Sequence, residues 1–381
     1  MEYEFIVVGG GLVGSAVAYG LAGKGCRVRV LDEGDRAFRA SRGNFGLVWV
    51  QGKGWDFPSY AKWSNSAANL WPEFNQELSE SSGVDTGYTR PGGLELYLSE
   101  TKWENRSQEM AQVRQHVGDQ FEYEMLDHAA LKKLIPQIGK DVVGASYSPQ
   151  DGHVNPLYLL RALHQQMDAK GVSYRPNEKV DNIEYLDGEF IVHTQTGTHS
   201  AAKIVLCAGL DNQRLGAMLD MQVPVTANRG QILITERAQP FLHYPTLHVR
   251  QTQEGSLQIG DSHEEVGLND GTSVEIMAMI ARRAVRLFPL LARMQLVRAW
   301  GALRIMTPDG KPVYQSSQSC PGAFAIATHS GVSLAAAHAG PIVDWMMGIA
   351  EHPLISHFST VRFDINADTK GKGSCGVCST E

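Results

Sequence analysis

The chain opens on a short apolar run, Phe5-Ile6-Val7-Val8, that stops abruptly at Gly9-Gly10-Gly11. β-Branched and aromatic residues in so short a run predict a strand buried on both faces. Leu12–Ala22 then places small and apolar residues at helical spacing, Gly23 and Gly25 stop that helix, and Arg27–Leu31 predicts a second strand. Strand, glycine turn, helix and strand make one βαβ unit. Apolar positions return at helical spacing over Pro58–Leu78 (Tyr60, Trp63, Ala67, Leu70, Trp71, Phe74, Leu78). Gly92–Ser99 alternates as a strand does, and Lys102–Val117 and His128–Ile135 are predicted helices. Asn155 followed by Pro156 is an N-cap with proline at the first helical position, opening a helix that ends at Gly171. Short strands follow through Gly197, and Lys203–Gly209 is again an apolar strand meeting a glycine. Strands are predicted over Val223–Thr235, Leu247–Ile259 and Phe324–Ala327, and helices over Thr272–Leu291 and Thr328–Gly348, the latter entered through Ser330-Gly331. No internal repeat is visible. From Ala367 onward the chain holds nothing to bury.

The glycines of the first unit have separate duties. Gly9 allows the tight turn, Gly11 lets a pyrophosphate approach the backbone, and Gly14 lets helix and sheet pack closely. The helix start at Leu12 and Val13 offers N–H groups and a partial positive charge to the diphosphate. Asp32 ends the second strand, where a carboxylate accepts hydrogen bonds from a ribose diol. These features predict an ADP-containing dinucleotide and leave FAD and NAD both open.

With 381 residues, 43% hydrophobic and 20% charged, the chain is a globular protein with more core than one ordinary domain. Its net charge of −7 argues against nucleic acid as the main partner. No apolar stretch approaches the roughly 20 residues of a membrane span. The acidic start Met1-Glu2-Tyr3-Glu4 is not the charge pattern of a signal peptide. Five cysteines without a framework fit a reducing cytoplasm.

The ordered set Gly9-x-Gly11-x-x-Gly14 with Asp32, "RASRGNFG", Gly152-His153-Val154-Asn155-Pro156, "VLCAGLDN", "ANRGQILIT", "AWGALRIMTPDGKPVY" and "THSGV" resembles the D-amino-acid-oxidase-like flavoproteins, the group of glycine oxidase and sarcosine oxidase. The resemblance covers about residues 3 to 365. Within that group, "SRGNFGLVWVQGKG" and "RQTQEGSLQIGDS" look most like the flavin-bearing β subunits of opine and hydroxyproline dehydrogenases. It implies an α/β fold: a Rossmann-like FAD-binding domain of the p-hydroxybenzoate-hydroxylase type (1–84, 145–221 and 305–364) with an inserted antiparallel-sheet substrate domain (85–144 and 222–304). Residues 365–381 form a cysteine-containing tail. The implied reaction is hydride transfer from an amine carbon to flavin N5, giving an imine that water hydrolyses. Such chemistry asks the protein chiefly to position substrate and shape the flavin's electronics.

Carried over residue by residue, the resemblance implies that Glu33 meets the adenine ribose through its backbone. It sets Ser41, Arg42 and Gly43 at the pyrophosphate and flavin edge, and Asn44, Gly46 and Leu47 past the isoalloxazine ring. Val180 corresponds to a backbone contact to adenine, and Cys207-Ala208-Gly209 to a second close pass near the phosphates. Ser330-Gly331-Val332 would bring a helix N-terminus to flavin O2. Arg304 stands at the position whose guanidinium pairs the substrate carboxylate, a task suited to its bidentate fork. His248 falls at an aromatic substrate-site position and His329 beside the flavin face. Some relatives carry a second carboxylate-binding arginine where this chain has His329-Ser330, which points to a larger secondary amine whose other carboxylate is met elsewhere. No His or Cys lies between Asp32 and Gly54, so FAD is expected to be non-covalent. No lysine lies between Lys203 and Lys311, where sarcosine-type oxidases carry the lysine that activates oxygen, and this favours a dehydrogenase with partner electron-transfer subunits. A self-contained glycine, D-amino-acid or sarcosine-type oxidase releasing peroxide, and a non-catalytic FAD-holding or electron-relay subunit, remain the alternatives. Cys375 and Cys378 form a C-x-x-C, half of a metal or iron–sulfur site that a partner chain would have to complete.

Overall fold

The computed structural model describes residues 2–34 and 39–365. Cys375 and Cys378 lie outside the described residues. The first strand, Tyr3–Val8, runs parallel between Thr198–Leu206 and Val28–Asp32. The parallel sheet continues through Ala323–Ala327 on one side and Ser173–Pro176 on the other. Val313–Ser316 adds an antiparallel edge, and the hairpin of Val180–Leu186 and Glu189–Thr194 attaches to the start of Thr198–Leu206, completing eight strands. Phe5 and Val7 face a layer that includes the helices Leu12–Gly23, Pro58–Ser82 and Pro156–Ala169. Ile6 and Val8 face the opposite core, beneath the hairpin. Both faces are covered, which is why this strand lacks polar alternation.

A second body is antiparallel. Val249–Gln251, Ser256–Ile259, Thr226–Arg237 and Leu296–Met306 form one sheet in that order. Gly93–Tyr97, Gly144–Ser148 and Glu124–Asp127 form another, joined to the first by a bridge between Leu94 and Thr246. The helix Val274–Leu287 buries Ile280, Ala284 and Leu287 against them. The mixed α/β architecture, with an antiparallel sheet beside the parallel one, is the expected fold class.

Local signals hold well where caps are explicit. Asn155 accepts hydrogen bonds from the N–H groups of Leu157 and Tyr158, with Pro156 at the first helical position. Two readings need correction. Leu247–Ile259 is a hairpin broken at Thr252–Gly255, not one strand. The long helix expected over Thr328–Gly348 does not exist: regular helix covers only Ala335–Ala339 and Pro341–Met347. Pro341 has no N–H and its ring crowds the carbonyl four residues back, so it divides the segment. Upstream, Ser333 Oγ accepts from Trp49 N–H and donates to the Leu47 carbonyl, which competes with helical bonding. Ser330, Gly331 and Val332 therefore form a turn, with Leu334 N–H bonded to the Ser330 carbonyl, and no helix N-terminus stands there.

Candidate active site

A cavity of about 850 Å³ runs from the end of the second strand, past the glycine turn, to the antiparallel sheet. That volume lies at the upper end of ordinary ligand sites. Its floor is the glycine turn. Gly9 has φ +103°, and a Cβ there would lie 2.5 Å from the Cys207 carbonyl oxygen. A Cβ on Gly14 would lie 1.9 Å from the Gly9 carbonyl oxygen, so that glycine is what lets the helix close on the strand. Gly11 caps the helix without a side chain, which leaves the cavity open at the helix start. Ser41 Oγ reaches in to accept from Leu12 N–H at 2.9 Å. Asp32 lines the far wall, its two oxygens accepting from Gly10 N–H (2.7 Å) and Gly34 N–H (2.9 Å). A carboxylate has about four acceptor positions, so two remain for a diol. Glu33 pairs with Arg39 at 2.7 Å and stands 3.9 Å from Lys179. These residues fit a dinucleotide: a helix start whose cap, Gly11, has no side chain to block the diphosphate, a carboxylate for the ribose and an elongated channel for the rest.

Most of the residues singled out in the sequence share this cavity. Gly9, Gly11, Leu12, Val13, Asp32, Glu33, Ser41, Arg42, Gly43, Asn44, Leu47, Val180, Cys207, Ala208, Gly209, Arg304, His329, Ser330, Gly331 and Val332 line it. Gly14, Gly46 and His248 stand behind the wall. The Cys207 thiol is buried and pushed up by that burial, so it is inert. Among the described residues no cluster of His, Cys, Asp and Glu could hold a metal ion.

Arg304 faces the cavity from the strand Leu296–Met306, whose register sets it opposite Asn228. Gly230 makes room for it, since a Cβ there would sit 2.2 Å from Arg304 Nη2. Arg304 donates to Asp261 Oδ2 at 2.8 Å, to the Ser262 carbonyl at 2.8 Å and to Asn228 Oδ1 at 3.1 Å. Of five guanidinium hydrogens, the one on Nε and one on Nη2 remain for a ligand. Asp261 is the hub of this end. His263 lies 3.3 Å, His248 3.6 Å and Arg283 3.9 Å from its oxygens. Burial raises its pKa, but the adjoining imidazoles and the Arg304 charge outweigh burial and hold the carboxyl well below its ordinary range. Burial and the Arg283 charge lower the pKa of His248. Burial first, then the charges of Lys53 and Arg304, push His329 down to about 3, so its ring is neutral near pH 7.

Several wall residues escaped the sequence reading. The segment Trp49–Gly54 is bolted in place by Asp151, which accepts from Val50 N–H (2.5 Å) and from the Gln51 side chain (2.6 Å). Trp49, Gln51 and Lys53 line the cavity, and so do Glu95 and Arg106, an ion pair at 2.5 Å. Lys53 reaches Ser330 Oγ at 2.6 Å and Tyr60 Oη at 3.3 Å. A lysine thus does line this cavity, but it comes from the loop 49–54 and not from the region between residues 203 and 311. Lys53 and Asp261 were each visible only as one residue within a quoted segment, "SRGNFGLVWVQGKG" and "RQTQEGSLQIGDS", with nothing to single them out.

The family described as DAO, FAD dependent oxidoreductase, matches residues 4–352. An opine oxidase subunit of Agrobacterium tumefaciens (strain Ach5) is 41% identical over 363 residues, 95% of this chain and 98% of that protein. Its counterpart in Rhizobium meliloti is 40% identical over 364 residues, again 95% and 98%. The crystal structure of glycine oxidase from Geobacillus kaustophilus superposes with a TM-score of 0.85 over 97% of this chain and 99% of that one, at 22% identity.

Proposed function

Since this chain belongs to the FAD-dependent oxidoreductases of the DAO family, which act on amino acids and amines, we propose that it oxidises the C–N bond of an opine-like substrate. Such a substrate is an N-substituted or cyclic secondary amine carrying a carboxylate. The observation that carries this reading is Arg304, a guanidinium fixed on the cavity wall with two hydrogens left for a carboxylate. FAD, when bound, supplies the hydride acceptor at its N5. Arg304 orients the substrate through its carboxylate, and Asp261, Asn228 and the Ser262 carbonyl keep the guanidinium from turning away. His329, neutral near pH 7, can accept from or donate to the amine without adding a charge beside it. The segment Trp49–Gly54 and the antiparallel sheet line the substrate end of the cavity and would exclude water from the reacting carbon once FAD and substrate fill it.

In this reading the glycine turn, Asp32, Ser41–Leu47, Val180, Cys207–Gly209 and Ser330–Val332 hold FAD non-covalently. Residues 85–144 and 222–304 shape the substrate end. The opine oxidase relatives are named as one subunit of an enzyme, and this chain is read as the catalytic subunit of a dehydrogenase complex. Anaerobic mixing of the FAD-loaded protein with a panel of N-carboxyalkyl amino acids tests the proposal through bleaching of the flavin band. Bleaching by these compounds supports it, and bleaching only by glycine or D-amino acids, with peroxide released in air, would replace it with a self-contained oxidase.

A further inference from the structure

An N-carboxyalkyl amino acid, the opine-like class tested above, carries two carboxylates, one on each side of the nitrogen, and Arg304 accounts for one. Four other cations at the cavity wall have carboxylate partners within the protein. Arg304 pairs with Asp261, Arg106 with Glu95, and Arg39 and Lys179 with Glu33. Lys53 differs. Its ammonium pairs with no carboxylate among the described residues and donates only to two hydroxyls, Ser330 Oγ and Tyr60 Oη, which lie 2.8 Å apart. A half-buried ammonium whose counter-charge is missing from the protein wall attracts an anion from the cavity it faces.

The fold delivers Lys53 to this place by construction. Asp151 anchors Val50 and Gln51, and the Arg106 guanidinium packs against the backbone of Gly52. Ser333 ties the same loop to the turn that carries Ser330. Lys53, His329 and Arg304 all line the one cavity. We propose that Lys53, held from behind by Tyr60 Oη and flanked by Ser330 Oγ on the cavity wall, forms a second carboxylate subsite that selects dicarboxylic secondary amines over monocarboxylic ones. The subsite replaces the cation absent at His329-Ser330. It rests on the opine-like reading above, and its test is chosen to fail separately from that reading.

The test is equilibrium binding to the FAD-loaded protein, followed by calorimetry and by the flavin difference spectrum. The probes are thiodiacetate, with two carboxylates, and (methylthio)acetate, with one; sulfur replaces the amine nitrogen, so no turnover is required. Lys53→Met is expected to weaken thiodiacetate by about 10- to 100-fold, the range for losing a charge-assisted hydrogen bond. Binding of (methylthio)acetate should stay within about twofold, and Lys53→Arg should restore most of the preference. Equal weakening of both probes, or a shifted flavin midpoint potential with the preference intact, overturns the subsite and makes Lys53 a flavin-facing charge. If wild type bleaches with no amine but prefers thiodiacetate through Lys53, the subsite stands and the oxidation reading falls. If amines bleach the flavin while Lys53→Met leaves the preference unchanged, the subsite falls and the oxidation reading stands.

Discussion

Replacing Arg304 by methionine keeps a long unbranched stem and removes the charge. Two effects must be separated. The ligand effect follows from the Nε and Nη2 hydrogens that Asp261, Asn228 and Ser262 leave over. If a substrate carboxylate takes both, losing the bidentate charged pair costs about 2–4 kcal/mol, or roughly 30- to 1,000-fold in kcat/KM. The stability effect follows from Asp261. Removing one partner of a buried pair costs about 3–5 kcal/mol when the other charge is stranded. Here Asp261 keeps His263 at 3.3 Å, His248 at 3.6 Å and Arg283 at 3.9 Å. A smaller loss of about 1–3 kcal/mol is expected, and the protein still folds and binds FAD. The assay is anaerobic stopped-flow bleaching of the flavin by a carboxylate substrate and by its carboxamide counterpart, alongside thermal melts. Wild type should prefer the carboxylate by the factor above, and the two substrates should converge in Arg304→Met. A variant that slows on both equally would refute the argument and leave Arg304 a structural partner of Asp261.

Three further outcomes follow from the same geometry. Gly14→Ala puts a Cβ 1.9 Å from the Gly9 carbonyl, so helix and strand must part by about 1 Å at a cost of roughly 2–4 kcal/mol. The purified variant should be colourless and melt lower, and a yellow, FAD-replete product at the wild-type Tm would contradict the close-packed turn. Acid precipitation of wild type should release all flavin to the supernatant, whereas flavin that stays with the protein would show a covalent bond. His338 is fully buried with Nε2 3.1 Å from Tyr314 Oη, and burial pushes its pKa down to about 3. The folded pKa is below the unfolded one, so its contribution to stability is full above about pH 6.5 and is lost as pH falls toward 3. At pH 5.5 the unfolded histidine binds about 0.9 proton and the folded one almost none. Calorimetry in buffers of different ionisation enthalpy should therefore show His338→Gln taking up about one proton fewer on unfolding. An unchanged uptake would mean that this ring is charged in the native state.

The dinucleotide end was legible because its chemistry is local. Gly9, Gly11, Gly14 and Asp32 lie within one βαβ unit, and turn, helix start and carboxylate are fixed by neighbours in sequence. Asn155-Pro156 was legible for the same reason, a cap acting on the next turn. Ser330–Val332 reached the cavity but not as a helix start, because the hydroxyl of Ser333 and the ring of Pro341 outweighed an apolar periodicity that looked continuous. Arg304 was found through its segment, while the site that gives it meaning was not. Asp261 and His263 come from the segment that follows the strand Ser256–Ile259 and Arg283 from the helix Val274–Leu287, and Lys53 meets Ser330 across 277 positions. Charge on a lone residue carries no record of its partner. Only tertiary packing decides that Asp261 is ringed by two imidazoles and two guanidinium groups while Lys53 meets no carboxylate among the described residues.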